Sequence, residues 1–476
     1  MKSYRSFVDV QTDLRAGTVT CRQLVDYYLQ RIQTHADLNA FVAVYADESR
    51  THAAEIDQKI AAGTAGRLAG MVLGIKDLLC YAGHGVQGGS KILAGFTSQI
   101  TATAVQRLLD EDAILIGRQN CDEFGMGSSN ENSAFGPVRN AADPERVPGG
   151  SSGGSAVAVQ AGLCFASIGT DTGGSVRQPA AFCGVVGLKP TYGRVSRWGL
   201  LAYASSFDTI GPITHTVADA ALLLEMMAGA DDWDATASPR PVPAYSQHLA
   251  LNKTVKIGYL REALDGPGVD TAIQRRLGET IALLQKDGHT VEAVDLSLTR
   301  HALPTYYILT TAEVSSNLSR YDGVRYGYRS AAATDLESLY KKSRVEGFGT
   351  ETQRRILLGT FVLSASYYDA YYTKAQKVRR LVKEETERIL QTYDFLLCPT
   401  TPTTAFRLGE KITDPMQMFL ADVFTVQANV TGLPAISIPA GTDPAGLPIG
   451  LQIMGKAFGE EELFAFSQYL HLRLTT

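Results

Sequence analysis

The sequence predicts an α/β fold, built as one large domain with a helical insertion. Three observations carry this reading. Short apolar, β-rich runs alternate with helix-length stretches from about residue 70 onward, the pattern of a layered α/β core. The 18 prolines are scattered, and no Pro/Gly/Ser-rich linker divides the 476 residues into separate units. From about residue 300 to 390 the pattern turns longer-period, aromatic and basic, which marks a helical insertion.

Taken in order, "TCRQLVDYYLQRI" opens with Thr20 and Gln23 in capping-box spacing and sets Leu24, Val25, Tyr28 and Ile32 on one face of an amphipathic helix. The apolar run "MVLGI" then ends at Lys76, the helical stretch "TATAVQRLLDEDA" follows, and "ILIG" leads into a polar loop. "LCFASIGTD" is a further β-like run that stops at "TGGS". "VKIGYL", "VDTAIQRRLGETIALLQKDG" and "HTVEAVDL" read as a βαβ unit. "SYYDAYYTKAQKVRRLVKEETERIL" is helical, and "DFLLCPT", "PAISIPAG" and "LPIGLQIMG" are closing core strands. Four regions result: helical 1–65, a core over 66–230, the insertion over 300–390, and final strands and a helix over 391–476. There is no internal repeat.

Composition removes several classes of function. Hydrophobic residues at 45% and charged residues at 20% are ordinary for a globular protein, and a net charge of −5 gives no general attraction for a polyanion. The N-terminus interleaves charge with apolar residues and lacks the apolar core of a secretory signal. No run of 18 uncharged apolar residues is present to span a bilayer. Cys21, Cys80, Cys121, Cys164, Cys183 and Cys398 stand far apart without a C-x-x-C pair or a nearby histidine cluster, so they read as free, buried thiols of a cytoplasmic protein.

"VPGGSSGGSAVAVQAG", residues 147–162, carries the chemistry. A phosphate-binding loop needs a lysine after its glycines, and none occurs from Val147 to Gly187. A dinucleotide fingerprint can be forced onto the glycines, but no strand with an acid about 20 residues on completes it. Gly149 to Gly153 fits the G-x-S-x-G nucleophile elbow, yet none of His215, His248, His289, His301 and His471 stands in an evident glycine-flanked or strand-end setting. What remains is a serine activated without histidine, for which a lysine held neutral by burial can serve as base. Lys76, at the end of a buried run, suits that role; read alone, it is a lysine paired with Asp77 or another acid. A second serine stretch, "GTDTGGSVRQPAAFCG", again ends a β-like run and sets Thr172, Gly173 and Gly174 before Ser175. Successive glycines let backbone N–H groups converge, as an oxyanion hole requires.

At these residues the chain resembles the amidase signature family, with its Ser-cisSer-Lys catalytic set. The resemblance implies a mixed central sheet with helices on both faces. It implies Lys76 as base, Ser151 as bridging serine after a cis Gly150–Ser151 peptide, Ser175 as nucleophile and Thr172 to Gly174 as the oxyanion hole. "MGSSNENSAFGPVRN", "GLKPTYGRVSRWGL", "SSNLSRYDGVRYGYR" and "SRVEGFGTETQRRILLGTF" extend the likeness to family members that hydrolyse glutamine for tRNA-dependent amidation. That likeness implies Arg355 for the glutamine α-carboxylate, Asp422 for its α-ammonium, and Tyr306 beside them. Read alone, Arg355 is a solvated helix charge beside Arg354, and Asp422 a surface acid. It further implies a heterotrimer with B and C subunits, no cofactor on this chain, ATP and Mg2+ on a partner, and tRNA held through that partner. Nothing in the sequence tells tRNA(Gln) from tRNA(Asn) service. The alternative is a stand-alone amidase acting on small amides.

Overall fold

The computed structural model describes residues 2–266, 268–411 and 415–475. The described residues form one 11-stranded sheet. Its strands are β1 (Phe41–Val44), β2 (Val72–Lys76), β3 (Ile114–Gln119), β4 (Ala166–Asp171), β5 (Val186–Lys189), β6 (Thr209–Thr214), β7 (Lys256–Leu260), β8 (Thr290–Val294), β9 (Phe395–Pro399), β10 (Ala435–Thr442) and β11 (Pro448–Met454). They lie in the order β1-β3-β2-β4-β6-β5-β10-β11-β9-β7-β8. The sheet is mixed, as expected: β2 runs parallel to β3 and β4, and β7 parallel to β8 and β9, while the pairs between β4 and β9 are antiparallel.

Local sequence explains the elements that place the site. β2, β3 and β4 are buried along their whole length, so they read as continuous apolar runs rather than as alternation. The capping box at Thr20 and Gln23 is made, and Leu24, Val25, Tyr28 and Ile32 are buried beneath it. The βαβ unit forms β7, the helix Thr271–Lys286 and β8, with the two strands paired in parallel. Residues 299–392 supply four helices, Thr299–Asn317, Leu336–Gly347, Thr350–Val362 and Lys374–Thr392. Part of this insertion packs as a second apolar cluster around Phe124, Tyr203, Tyr306, Tyr307 and Phe348, beside the main core. Strands β1, β5 and β6 carry no comparable signal: β1 is a four-residue edge strand, and "GLK" and "TIGPIT" are broken by glycine or proline.

The C-terminal ends of β2 and β4 bring Lys76 and Asp171 to one side of the sheet. Asp171 is fully buried and anchors the turn that follows. Arg177 donates to it from Nε at 3.0 Å and from Nη2 at 2.9 Å, and Asn429 Nδ2 adds a contact at 2.9 Å. The backbone N–H groups of Gly174 and Val176 also donate to its carboxylate. Arg177 continues to the Thr425 carbonyl, Asn429 Oδ1 and Gln452, tying the turn to the helix Val426–Thr431 and to β11. Burial alone would raise the Asp171 pKa, but the Arg177 charge and its hydrogen bonds override burial and hold the carboxyl far below the usual range.

This anchor sets two expectations for stability. Arg177→Met strands a buried carboxylate and is expected to cost about 3–5 kcal/mol in urea unfolding, with Asp171→Asn in the same chain recovering part of the loss. Because the folded pKa is depressed, the ion pair's contribution is present above the unfolded value of 3.8 and is lost as pH falls below it.

Candidate active site

Lys76 is wholly buried at the end of β2. Its Nζ lies 2.7 Å from Ser151 Oγ, 2.9 Å from Ser152 Oγ and 2.9 Å from Thr170 Oγ1. No carboxylate comes within salt-bridge distance of it among the described residues, and Asp77 faces Arg118 instead, at 3.6 Å. Burial therefore dominates and lowers the lysine from 10.5 to about 8, with the more distant Cys121, Asp122 and Asp171 opposing the shift. A lysine at that value presents a lone pair to a hydroxyl at mildly alkaline pH and can take its proton.

Ser151 sits in the "GGSSGGS" turn ahead of the helix Gly153–Gln160, and the Gly150–Ser151 peptide is cis. The turn is fixed from three sides. Gln178 Oε1 accepts from Gly150 N at 2.8 Å, Asp122 N donates to the Ser151 carbonyl at 3.2 Å, and Ser152 N donates to the Ser175 carbonyl at 3.1 Å. That last bond brings the two serine stretches together. No direct hydroxyl bond joins Ser151 to Ser175 among the described residues.

Ser175 follows Gly173 and Gly174, and each glycine has its own steric reason. A Cβ on Gly173 would meet Tyr306 Oη at 2.5 Å, and Gly174 adopts φ +133°, a conformation side chains rarely allow. The Gly174 N–H departs from the expectation that it serves an oxyanion, because it donates to Asp171 Oδ1 at 2.9 Å. Thr172, Gly173 and Ser175 then remain as backbone donors outside the Asp171 anchor. Thr172 is held by its hydroxyl, which donates to Asp208 Oδ1 at 2.7 Å, and the Gly173 carbonyl accepts from Thr425 Oγ1 at 2.7 Å.

Arg355 and Asp422 are both buried, not solvated. Arg355 Nε donates to Glu351 Oε1 at 2.8 Å and Nη1 to Tyr203 Oη at 2.9 Å, while its guanidinium lies 5.4 Å from the Tyr307 ring centre. Asp422 accepts from Ser128 Oγ at 2.7 Å and from Tyr307 Oη at 3.2 Å. Tyr307 thus touches both charges, whereas Tyr306 packs edge-on to Phe207 and against Gly173. Burial raises Asp422 to about 7, against the lowering effect of Ser128, Arg355 and Tyr307. The arrangement offers one cation and one carboxyl, joined by an aromatic ring, beside the Gly173–Ser175 turn.

Several members of this constellation escape sequence reasoning. Ser152 and Thr170 complete the shell of Lys76, and the doubled serine in "GGSSGGS" is a usable signal for the first. Tyr307, Tyr203 and Ser128 come from three distant segments and leave no local pattern. A cleft of 530 Å3 lined by Glu123, Glu131, Asn132, Gly349, Glu351 and Arg354 opens beside the Arg355 partner. A larger one of 690 Å3, between the helix Cys21–Thr34 and β1, is lined by none of the candidate site residues. Among the described residues no cluster of His, Cys, Asp or Glu could hold a metal ion, and no helix is long and apolar enough to cross a membrane.

The pattern that defines the amidase family matches residues 23–464. The chain belongs to the amidase family. Within that family, this amidase is 50% identical over 474 residues to the A subunit of the glutamyl-tRNA(Gln) amidotransferase of Chlorobium luteolum, covering 98% of this chain and 97% of that one. The crystal structure of the Thermotoga maritima protein of the same name superposes with a TM-score of 0.77 at 39% identity, over 94% of this chain and 90% of that one. The peptide amidase of Stenotrophomonas maltophilia superposes with a TM-score of 0.83 at 30% identity, over 98% and 96%.

The buried lysine predicts a pH signature that needs no knowledge of the substrate. Labelling of Ser175 by phenylmethanesulfonyl fluoride should rise with pH through a single ionisation near 8, as Lys76 loses its proton, and should vanish in Ser175→Ala. Peptide mapping of the labelled protein checks both points.

Proposed function

We propose that this amidase is the glutamine-hydrolysing subunit of a tRNA-dependent amidotransferase. The observation that carries the reading is the pairing of buried Arg355 with buried Asp422 around Tyr307, beside the Gly173–Ser175 turn. Glutamine differs from a simple amide by one carboxylate and one ammonium, and a selective site needs a fixed group of opposite charge for each. A guanidinium already oriented by Glu351 and Tyr203 suits a carboxylate, which it grips through two N–H groups. Full-length identity to relatives of that name supports the same assignment.

In this mechanism neutral Lys76 takes the Ser151 proton as Ser151 takes that of Ser175, and Ser175 Oγ attacks the glutamine side-chain carbonyl. The Ser151–Ser175 leg closes in the substrate complex, where catalytic hydrogen bonds commonly tighten. Backbone N–H groups of Thr172, Gly173 and Ser175 receive the oxyanion. The relay returns the proton to the departing nitrogen, ammonia leaves, and water then releases glutamate from the acyl-enzyme. The core over 66–230 supplies the relay, the insertion over 300–390 supplies Arg355, Tyr306 and Tyr307, and the segment after 391 supplies Asp422. B and C subunits would receive the ammonia in the cytoplasm, with ATP, Mg2+ and the misacylated tRNA on the partner side.

The test is ammonia release from glutamine by the purified chain, with and without its B and C subunits, beside a panel of simple amides. The reading expects glutamine turnover that rises with the partners and is lost in Ser175→Ala. Rapid hydrolysis of simple amides with glutamine ignored would make the chain a free-standing amidase. Arg355→Lys should raise the glutamine KM by about 10- to 100-fold, since a lysine cannot reproduce the two-point grip.

A further inference from the structure

Asp422 and the Lys76 relay come from opposite ends of the sequence, yet a continuous line of hydrogen bonds joins them. Ser128 Oγ donates to Asp422 Oδ2 at 2.7 Å. The Ser128 carbonyl accepts from Gln178 Nε2 at 2.8 Å. The other end of that amide, Gln178 Oε1, accepts from Gly150 N at 2.8 Å. Gly150 is the residue whose cis peptide leads into Ser151, and Ser151 Oγ faces Lys76 at 2.7 Å. Every side chain on the line is at least nine-tenths buried.

The segment holding Ser128 is not a loose loop. Asn130 N and Asn132 N donate to Asp122 at 2.9 and 3.1 Å, and Asp122 N donates to the Ser151 carbonyl at 3.2 Å. A Cβ on Gly127 would meet the Asp122 carboxyl, so this backbone lies directly on that side chain. Ser128 and its neighbours are therefore tied to the backbone on both sides of the Gly150–Ser151 peptide. The planar amide of Gln178 acts as a rigid two-ended strut, because rotating it would break two buried bonds at once.

We propose that Ser128 and Gln178 are positioning residues that convert engagement of an α-ammonium at Asp422 into alignment of Ser151, so that this group is selected in turnover as well as in binding. The proposal rests on the glutamine reading above. An ammonium on the carboxylate fixes it as an ionised acceptor, and a charge-assisted bond from Ser128 Oγ is shorter and stronger than one to a neutral carboxyl. The gain passes through the Ser128 backbone and the Gln178 strut to the peptide that aims the Ser151 hydroxyl. A substrate without the ammonium forgoes it and meets a relay that is present but less well aligned.

The test compares two reactions of Ser175 in the full chain, with its partner subunits where turnover needs them. One is glutamine hydrolysis; the other is labelling by phenylmethanesulfonyl fluoride, which carries no ammonium. In Ser128→Ala, kcat for glutamine is expected to fall about tenfold, at least five times more than the labelling rate, with KM changed by less than about threefold. Ser128→Thr, which keeps the hydroxyl, should recover most of the loss. A parallel fall in both reactions would reduce Ser128 to a structural residue, and a rise in KM with kcat intact would confine it to binding; either result overturns the coupling. Glutaramate, which is glutamine without its α-ammonium, separates this failure from that of the parent reading. If the unsubstituted chain turns over glutaramate as well as glutamine, the Asp422 assignment itself is wrong.

Discussion

A primary amine sealed among hydroxyls, with no carboxylate within salt-bridge distance among the described residues, is the constraint on which the rest of this structure depends. Among the described residues, Lys76 Nζ donates to the hydroxyls of Ser151, Ser152 and Thr170 and, more weakly, to the Thr170 carbonyl. An ammonium in that setting loses its hydration and gains only neutral dipoles in return, so burial favours the uncharged form. A nearby acid would remove the effect by stabilising the charge. The fold keeps the acids occupied elsewhere: Asp77 accepts from Gln87 N and Gly89 N and faces Arg118, and Asp171 is taken by Arg177.

That division of charge explains why the site spans so much of the chain. Asp171 stands one residue beyond Thr170, so the strand end that lends a hydroxyl to the lysine also anchors the turn carrying Ser175. The anchor reaches through Arg177 to Thr425, whose hydroxyl returns to the Gly173 carbonyl and whose segment bears Asp422. The Ser175 turn and the Asp422 carboxyl are thus set by one buried network. An error in Arg177 would disturb both, and for that reason stability and activity are not independent in this region.

The fold class was legible because its strongest signals are long and periodic: buried parallel strands, capped amphipathic helices and a helical insertion. Strands such as β5 and β6 were not, since their pairing is long-range and glycine or proline interrupts their β pattern. At the site, Lys76, Ser151 and Ser175 stood out because each ends a β-like run or lies among glycines. Arg355 and Asp422 were invisible to local reasoning: "RR" on a helix and "LAD" in a loop look solvated, and only resemblance singled them out. The Tyr pair at 306 and 307 marks the limit. Helical spacing cannot decide which of two adjacent tyrosines turns toward Asp422, and the structure gives the direct contacts to Tyr307. Gly174 shows a different failure, for nothing in "TGGS" reveals that its N–H is claimed by the acid three residues earlier.

The lowered pKa of this lysine is open to direct observation. In protein labelled with 15N at lysine Nζ, with Lys76→Met to assign the signal, the Lys76 resonance should titrate with a midpoint near 8, well separated from the exposed lysines. A midpoint at the ordinary 10.5 would mean a permanently charged ammonium at working pH. Lys76 could not then be the base, and the account of this site would fail at its first step.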